Sequence, residues 1–387
     1  MRCCGRRPSI AFVGSGGMGG SRASWPGTQG FMRAALERNC GDVTDLGPVE
    51  FRAEWLGKVF NRLARKVTRR GYDYRHAVFF SKVLGRAIEK RIEGKGFDLV
   101  FVAATSSEGA FIRNHPPIVY TSDATFGGLV GYYPVYSNLV KTSVLDGYAV
   151  EERMLQESSV IAYPSEWAGE SAVSDHGADS SKVRIIPYGG NLPPEAVPPG
   201  EMVVRRRPGE TCRLLFLGTD WERKGGEIAC EALREMHQMG VTAELLVCGC
   251  EPPAASMTNG VKVVPRIYKS RGNGMSLFRE LMLSVDFLVL PTRQECYGMV
   301  FCEASAFGVP SITTDTGGVS GAVRNGINGY TLPLSSGGAE YGRLLSELYL
   351  DDRRLSALRR TSRVEYDERL NWDSWARSIN KEVEKIL

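Results

Sequence analysis

Short runs of Val, Ile, Leu and Phe recur along the chain. Each is followed by a glycine or polar turn and then by about ten to fifteen residues of helical periodicity. The first set of runs lies at 9–13, 99–103, 118–121, 160–163 and 183–186, and the second at 213–217, 243–248, 261–264, 287–290, 311–313 and 329–331. Continuous apolar runs of this length suit parallel strands buried on both faces, so the pattern predicts an α/β protein with two parallel sheets. Between the sets, 187–208 carries Pro193, Pro194, Pro198 and Pro199 and the charged run Arg205, Arg206, Arg207, where regular structure is hard to sustain. The expected division is a first domain over 1–190, a linker over 191–210, a second domain over 211–365 and a C-terminal helix over 366–387 that either crosses back to the first domain or caps the second. No repeat of fixed period interrupts this rhythm.

Composition sharpens the picture. A chain of 387 residues exceeds what one core usually organises, which agrees with two domains. With 43% apolar and 24% charged residues it reads as globular rather than disordered. The net charge, 48 − 44 = +4, is too small to suggest a nucleic-acid partner. The longest apolar runs fall far short of the roughly 20 residues of a membrane span. The apolar stretch Ile10 to Val13 dissolves into glycines, so no signal peptide is expected and a cytoplasmic location follows. Nine cysteines without paired C-x-x-C spacing, and histidines scattered at 76, 115, 176 and 237, argue for reduced thiols and no structural metal.

One glycine motif is discounted. Gly14, Gly16 and Gly19 satisfy G-x-G-x-x-G, but Pro26 and Gly27 oppose a helix opening at the third glycine, and Asp45 is too distant to serve as the ribose-binding acid. The next helix is expected to start near Thr28, where its amides either hold an anion or simply close a turn.

The informative stretch is 287–310, which reads as strand, loop, helix and turn. Glu295 lies just before the helix and Glu303 within it, flanking the amides of Gly298, Met299 and Val300. A phosphate at those amides and hydroxyls at the two carboxylates would suit a nucleotide diphosphate sugar. Acidic residues also favour a helix start for purely electrostatic reasons. Glu295, Tyr297, Gly298, Glu303, Ala304, Ala306, Gly308 and Pro310 together resemble the E-x7-E motif of retaining glycosyltransferases of the GT-B fold, family 4. The resemblance extends, less sharply, over nearly the whole chain. It implies two Rossmann-like parallel-sheet domains facing a central cleft, with the donor held by the second domain and the acceptor by the first.

The resemblance also implies roles. Glu303 would bind ribose, Glu295 the sugar hydroxyls, and Tyr297 would belong to the donor site. Lys224, before Gly225, would contact the diphosphate. The family carries an arginine directly after the glycine of this loop, where this chain has Thr219; Arg223 is either its substitute or a solvated surface charge. The segment around Ile267 resembles the one whose backbone meets the base. In the first domain Gly27 and Thr28 resemble the turn facing the donor phosphate. Ser122 or Asp123 stands where relatives carry a histidine, Asp123 being alternatively a helix cap.

The implied activity is transfer of a hexosyl group from a UDP- or GDP-sugar, with retention, to a hydroxyl of a saccharide, lipid-linked or small-molecule acceptor, as in polysaccharide or glycoconjugate biosynthesis. No cofactor and no metal are expected, since no Asp-x-Asp occurs and cationic side chains with helix amides can serve the diphosphate. A silent nucleotide-sugar binding protein, or a GT-B epimerase or phosphorylase, fits the motif less well. So does two-carboxylate hydrolysis, which needs opposed groups across the bond.

A last feature is separate. Phe51, Trp55, Val59, Leu63 and Val67 fall at steps of four, and residues 52–75 hold eight basic and two acidic residues, a local 8 − 2 = +6. This fits a helix at an anionic membrane, peripheral at its inner face, or one packed apolar side inward on the first domain. The packed helix is the expectation.

Overall fold

The computed structural model describes residues 6–14, 26–47, 49, 54–204 and 209–387. The chain forms two compact units, Met1–Pro187 with Trp372–Leu387, and Tyr188–Asn371. The first runs β1 (Ser9–Gly14), α1 (Pro26–Asn39), β2 (Asp42–Asp45), α2 (Glu54–Thr68), α3 (Val78–Ile92), β3 (Leu99–Ala103), α4 (Ser106–Gly109) and β4 (Ile118–Thr121). It continues with α5 (Phe126–Leu129), α6 (Pro134–Ser137), α7 (Lys141–Glu157), β5 (Val160–Tyr163), α8 (Glu166–Ser174) and β6 (Val183–Ile185). The second begins with α9 (Gly200–Val204), β7 (Cys212–Leu217), α10 (Gly226–Gln238), β8 (Ala243–Cys248), β9 (Val261–Val264) and α11 (Gly274–Ser284). Next come β10 (Phe287–Leu290), α12 (Met299–Ala306), β11 (Ser311–Thr314), α13 (Val319–Ala322), β12 (Gly329–Leu332), α14 (Gly338–Leu350) and α15 (Asp352–Glu368). The chain then rejoins the first unit with α16 (Trp372–Ile386).

Each unit is built on a six-stranded parallel sheet, ordered β2-β1-β3-β4-β5-β6 in the first and β12-β11-β10-β7-β8-β9 in the second. Every apolar run forms a strand, and β3, β4, β5, β10 and β11 are buried along their whole length. The second order is that of a Rossmann fold: three strands run outward from β7 on one side, then the chain crosses back to β10 on the other. Asp286, at the entry to β10, is the one charge beside that run. It is buried against Arg359 of α15 and accepts the Arg213 backbone N–H at 2.9 Å, which ties β7 and β10 together at their starts.

The structure departs from expectation in several places. β2 was not foreseen, because its sequence DVTD lies mostly exposed at the sheet edge and carries no apolar run. α1 starts at Pro26, ahead of Thr28; a proline suits a first helical position, where its missing N–H would have no partner anyway. The proline-rich stretch expected as linker belongs to the second unit through residue 204: the Gly190 N–H donates to Leu370 O at 3.0 Å, and α9 packs on α15. Of the closing segment only 366–371 depart, staying with the second unit; α16 takes the crossing-back alternative, its Trp375 and Ile379 buried and Cys40 beside α1 donating to Ala376 O. Gly16, Gly19, Phe51 and residues 205–207 lie outside the described residues.

α2 also reverses the expected orientation. Its seat is made by Gly57, where a Cβ would come within 2.4 Å of the Tyr74 ring, and by Asn61, whose Oδ1 accepts the Tyr72 N–H at 3.0 Å. The large apolar residues Trp55, Val59, Leu63 and Val67 point to solvent.

In the first unit His176 is buried against Tyr148, and its Nε2 accepts the Gly127 N–H at 2.9 Å. Burial pushes its pKa down to about 4, with Asp175 opposing. The unfolded chain binds a proton near pH 6.5 that the folded chain refuses, so stability contributed by neutral His176 falls as pH drops from about 6.5 towards 4. Urea unfolding of wild type and His176→Gln at pH 7 and pH 4.5 should show the wild type losing about 2–3 kcal/mol relative to the variant. A pH-independent difference would contradict the assignment.

Candidate functional site

The carboxyl ends of β7 and β10 are adjacent because the strands pair in parallel, Phe287 beside Leu214 and Leu288 beside Leu215. Chain order reverses here, and in open α/β sheets ligands bind outside the carboxyl ends of the strands at such a point. The loop after β7 folds into a tight turn in which Lys224 N–H donates to Asp220 O at 3.1 Å and Gly226 N–H to Trp221 O at 2.9 Å. Gly225 caps α10 with φ +75°, and a Cβ there would sit 2.0 Å from Pro291 O of the neighbouring loop. Only glycine lets the two loops come this close.

Across this contact Lys224, 71 residues from Glu295 in sequence, forms an ion pair with its Oε2, both side chains largely buried. Arg223 joins the same carboxylate, its Nη1 standing 3.9 Å from Glu295 Oε2 and donating to Gln294 O at 2.9 Å. Arg223 is therefore not a solvated surface charge; its Nε also lies 3.5 Å from Asp220. Thr219, where the arginine of the resembled motif would stand, is exposed at the loop's start.

Glu295 leads into α12 through Tyr297 and Gly298. Tyr297 is buried and donates its hydroxyl to Tyr188 O at 3.1 Å, so it acts as a structural post beneath the loop; burial raises its pKa well above the ordinary tyrosine value. Gly298 caps the helix with φ +90°, and a Cβ would fall 2.4 Å from the Phe301 ring. Behind it Met299 and Val300, both half-buried, open the helix, and the next N–H, that of Phe301, donates to Gly298 O at 3.0 Å. Glu303 lies one turn further, roughly 7 Å along the axis from Gly298. It is buried and ion-paired with Lys269, whose Nζ also donates to Asn191 O at 3.4 Å and lies 4.8 Å from the Phe278 ring centroid. Sequence reasoning missed Lys269: it sits two residues beyond the half-buried Ile267 in the loop after β9, and no spacing links it to Glu303.

The other expected residues lie in the first unit. Gly27 is exposed and Thr28 buried in the first turn of α1, beside Gln29, whose Nε2 donates to Ala103 O at 2.9 Å. Ser122 is buried and Asp123 half-buried after β4. The following helix is capped by Thr125, which accepts the Gly128 N–H at 3.0 Å, rather than by Asp123. Glu151 accepts the Tyr120 hydroxyl at 3.1 Å, and burial raises its pKa. Among the described residues no group of three or more His, Cys, Asp or Glu is placed to hold a metal ion.

Comparison with known proteins bears on this site directly. Residues 211–351 match the family of Glycosyl transferases group 1. That group 1 segment begins with β7 and contains Arg223, Lys224, Lys269, Glu295 and Glu303. Among curated proteins, D-inositol 3-phosphate glycosyltransferase 1 of Catenulispora acidiphila is 26% identical over 246 residues, covering 57% of this chain and 58% of the relative. The chain spans about half the length of the curated relatives it matches. Among solved structures, sucrose-phosphate synthase of Thermosynechococcus elongatus aligns with a TM-score of 0.66 at 17% identity over 98% of this chain and 99% of that one. The Anabaena protein HepE in complex with UDP-glucose aligns at 0.62 and 15% identity, over 97% and 99%. The fold is the GT-B one, with two Rossmann-like domains.

Replacing Gly225 by alanine combines a left-handed backbone with a backbone clash. Urea unfolding of Gly225→Ala should report a loss of about 3 kcal/mol. An unchanged midpoint would show that the two loops do not meet as described.

Proposed function

We propose that the protein is a retaining, metal-independent hexosyltransferase of glycosyltransferase family 4. It moves a sugar from a UDP- or GDP-sugar to a hydroxyl of a saccharide, lipid-linked or small-molecule acceptor. The observation that carries this reading is the meeting of Lys224 and Arg223 with Glu295 at the carboxyl ends of β7 and β10, beside the start of α12 and within the group 1 segment.

In this reading Lys224, Arg223 and the amides of Met299 and Val300 neutralise the leaving diphosphate, with Gly298 keeping the approach clear and Thr219 at its edge. Glu295 accepts hydrogen bonds from sugar hydroxyls, and Glu303, held by Lys269, from the ribose. The base lies along the backbone at Ile267, with Tyr297 supporting the loop from below. Gly27 and Thr28 of the first unit serve the phosphate, and Asp123 the sugar or acceptor. The acceptor oxygen forms its bond to the anomeric carbon on the face from which the phosphate oxygen leaves, and that oxygen takes the acceptor proton. Configuration is retained with no protein nucleophile. D-inositol 3-phosphate glycosyltransferases among the relatives, and UDP-glucose bound in a protein of the same fold, support a nucleotide-sugar donor and a polar acceptor.

Lys224→Ala should lower kcat by about 10²–10³-fold, the loss typical of one group stabilising a leaving charge. Glu303→Ala should raise the donor KM by about tenfold or more with a smaller effect on kcat. Turnover should withstand EDTA, and proton NMR of the first product should show the donor's anomeric configuration. Strict dependence on added Mg²⁺ or Mn²⁺, or an inverted product, would refute the mechanism.

A further inference from the structure

We propose that α2 docks the protein onto an anionic lipid bilayer. An amphipathic helix on a water-soluble domain normally buries its apolar stripe and shows its charges. Here the small and polar residues form the seat: Gly57 lies under the Tyr74 ring, Glu54 accepts the Tyr74 hydroxyl at 3.1 Å, and Asn61 accepts the Tyr72 N–H. Trp55, Val59, Phe60, Leu63 and Val67 are left between 41% and 79% exposed. Five large apolar side chains on four turns of one helix form a patch of the kind that marks an interaction surface.

The charges say what covers it. Lys58, Arg62, Arg65 and Lys66 on the helix, with Arg69 and Arg70 just after it, are all exposed. The one acidic residue, Glu54, is tied to Tyr74 and pairs with Lys58 at 3.2 Å. At 100° per residue, Lys58, Arg62 and Lys66 fall beside the stripe of Trp55, Val59 and Leu63. This is the arrangement of a helix lying in a membrane interface, apolar residues about 5–10 Å deep in the headgroup boundary and long basic side chains reaching the phosphates. A second copy of the chain would set one basic cluster against another, whereas an anionic bilayer neutralises it. Combined with the proposed transfer activity, on which this clause alone rests, docking selects the lipid-linked class among the acceptors.

The test is flotation of the full chain, without nucleotide, on vesicles of phosphatidylcholine alone and of phosphatidylcholine with about 30 mol % phosphatidylglycerol. Binding is expected to the anionic vesicles and to fall steeply between about 0.05 and 0.5 M salt. Arg62→Ala, Arg65→Ala and Lys66→Ala should each weaken it roughly five-fold. Leu63→Ser with Val67→Ser should weaken it about tenfold or more. Both sets lie on the exposed face, so melting temperatures should stay at the wild-type value, separating lost docking from lost fold. No binding to either vesicle at low salt, or binding indifferent to both sets, would overturn the proposal. So would sedimentation velocity showing a dimer that Leu63→Ser with Val67→Ser dissolves.

Discussion

Lys224 and Glu295 meet because β7 and β10 are neighbours, although two strands intervene between them in sequence. The site depends on that pairing. Its register is held at the strand entries by Asp286, which accepts the Arg213 N–H and is paired with the buried Arg359. Removing one partner of such a pair would strand a charge in the core. At the strand exits, contact between the two loops requires Gly225 to sit against Pro291 O. The ion pair thus sits at the end of a structure locked from below by charge and from above by the absence of a side chain.

The pairing also orders the rest of the second unit's site. The loop that carries Glu295 is propped by Tyr297 on Tyr188 O and held at its backbone by Gly318 N–H, which donates to Glu295 O at 3.1 Å. This fixes the start of α12, and with it the position of Glu303 one turn along. Lys269, from the loop after β9 at the far edge of the sheet, reaches Glu303. Two carboxylates each held by a lysine bracket one helix start, and the helix supplies amides between them.

Much of this was legible in the sequence because the information is local. Apolar runs gave the buried strands almost residue for residue, and the spacing of Glu295 and Glu303 around Gly298 placed them before and within one helix. What escaped depends on tertiary context. β2 has no apolar run because an edge strand needs none. Lys269 carries no motif, and its partner is 34 residues away. The proline-rich stretch 191–204 looked like a tether because proline excludes regular structure, yet proline does not prevent packing on α15. The stripe on α2 was visible as a stripe, but periodicity says only that one face differs from the other. The side that is seated is decided by Gly57 and Asn61 against Tyr74 and Tyr72, which no helical period reveals.

The central claim is that the end of the second sheet at Lys224, Glu295 and Glu303 binds a nucleoside diphosphate. Thermal melting of wild type, Lys224→Ala and Glu303→Ala against UDP, GDP, ADP and TDP tests it most directly, because a ligand that binds only the folded chain raises the melting temperature by mass action. The account predicts stabilisation of the wild type by one nucleotide above the others and its loss in both variants. Equal stabilisation of all three proteins, or none by any nucleotide, would contradict it.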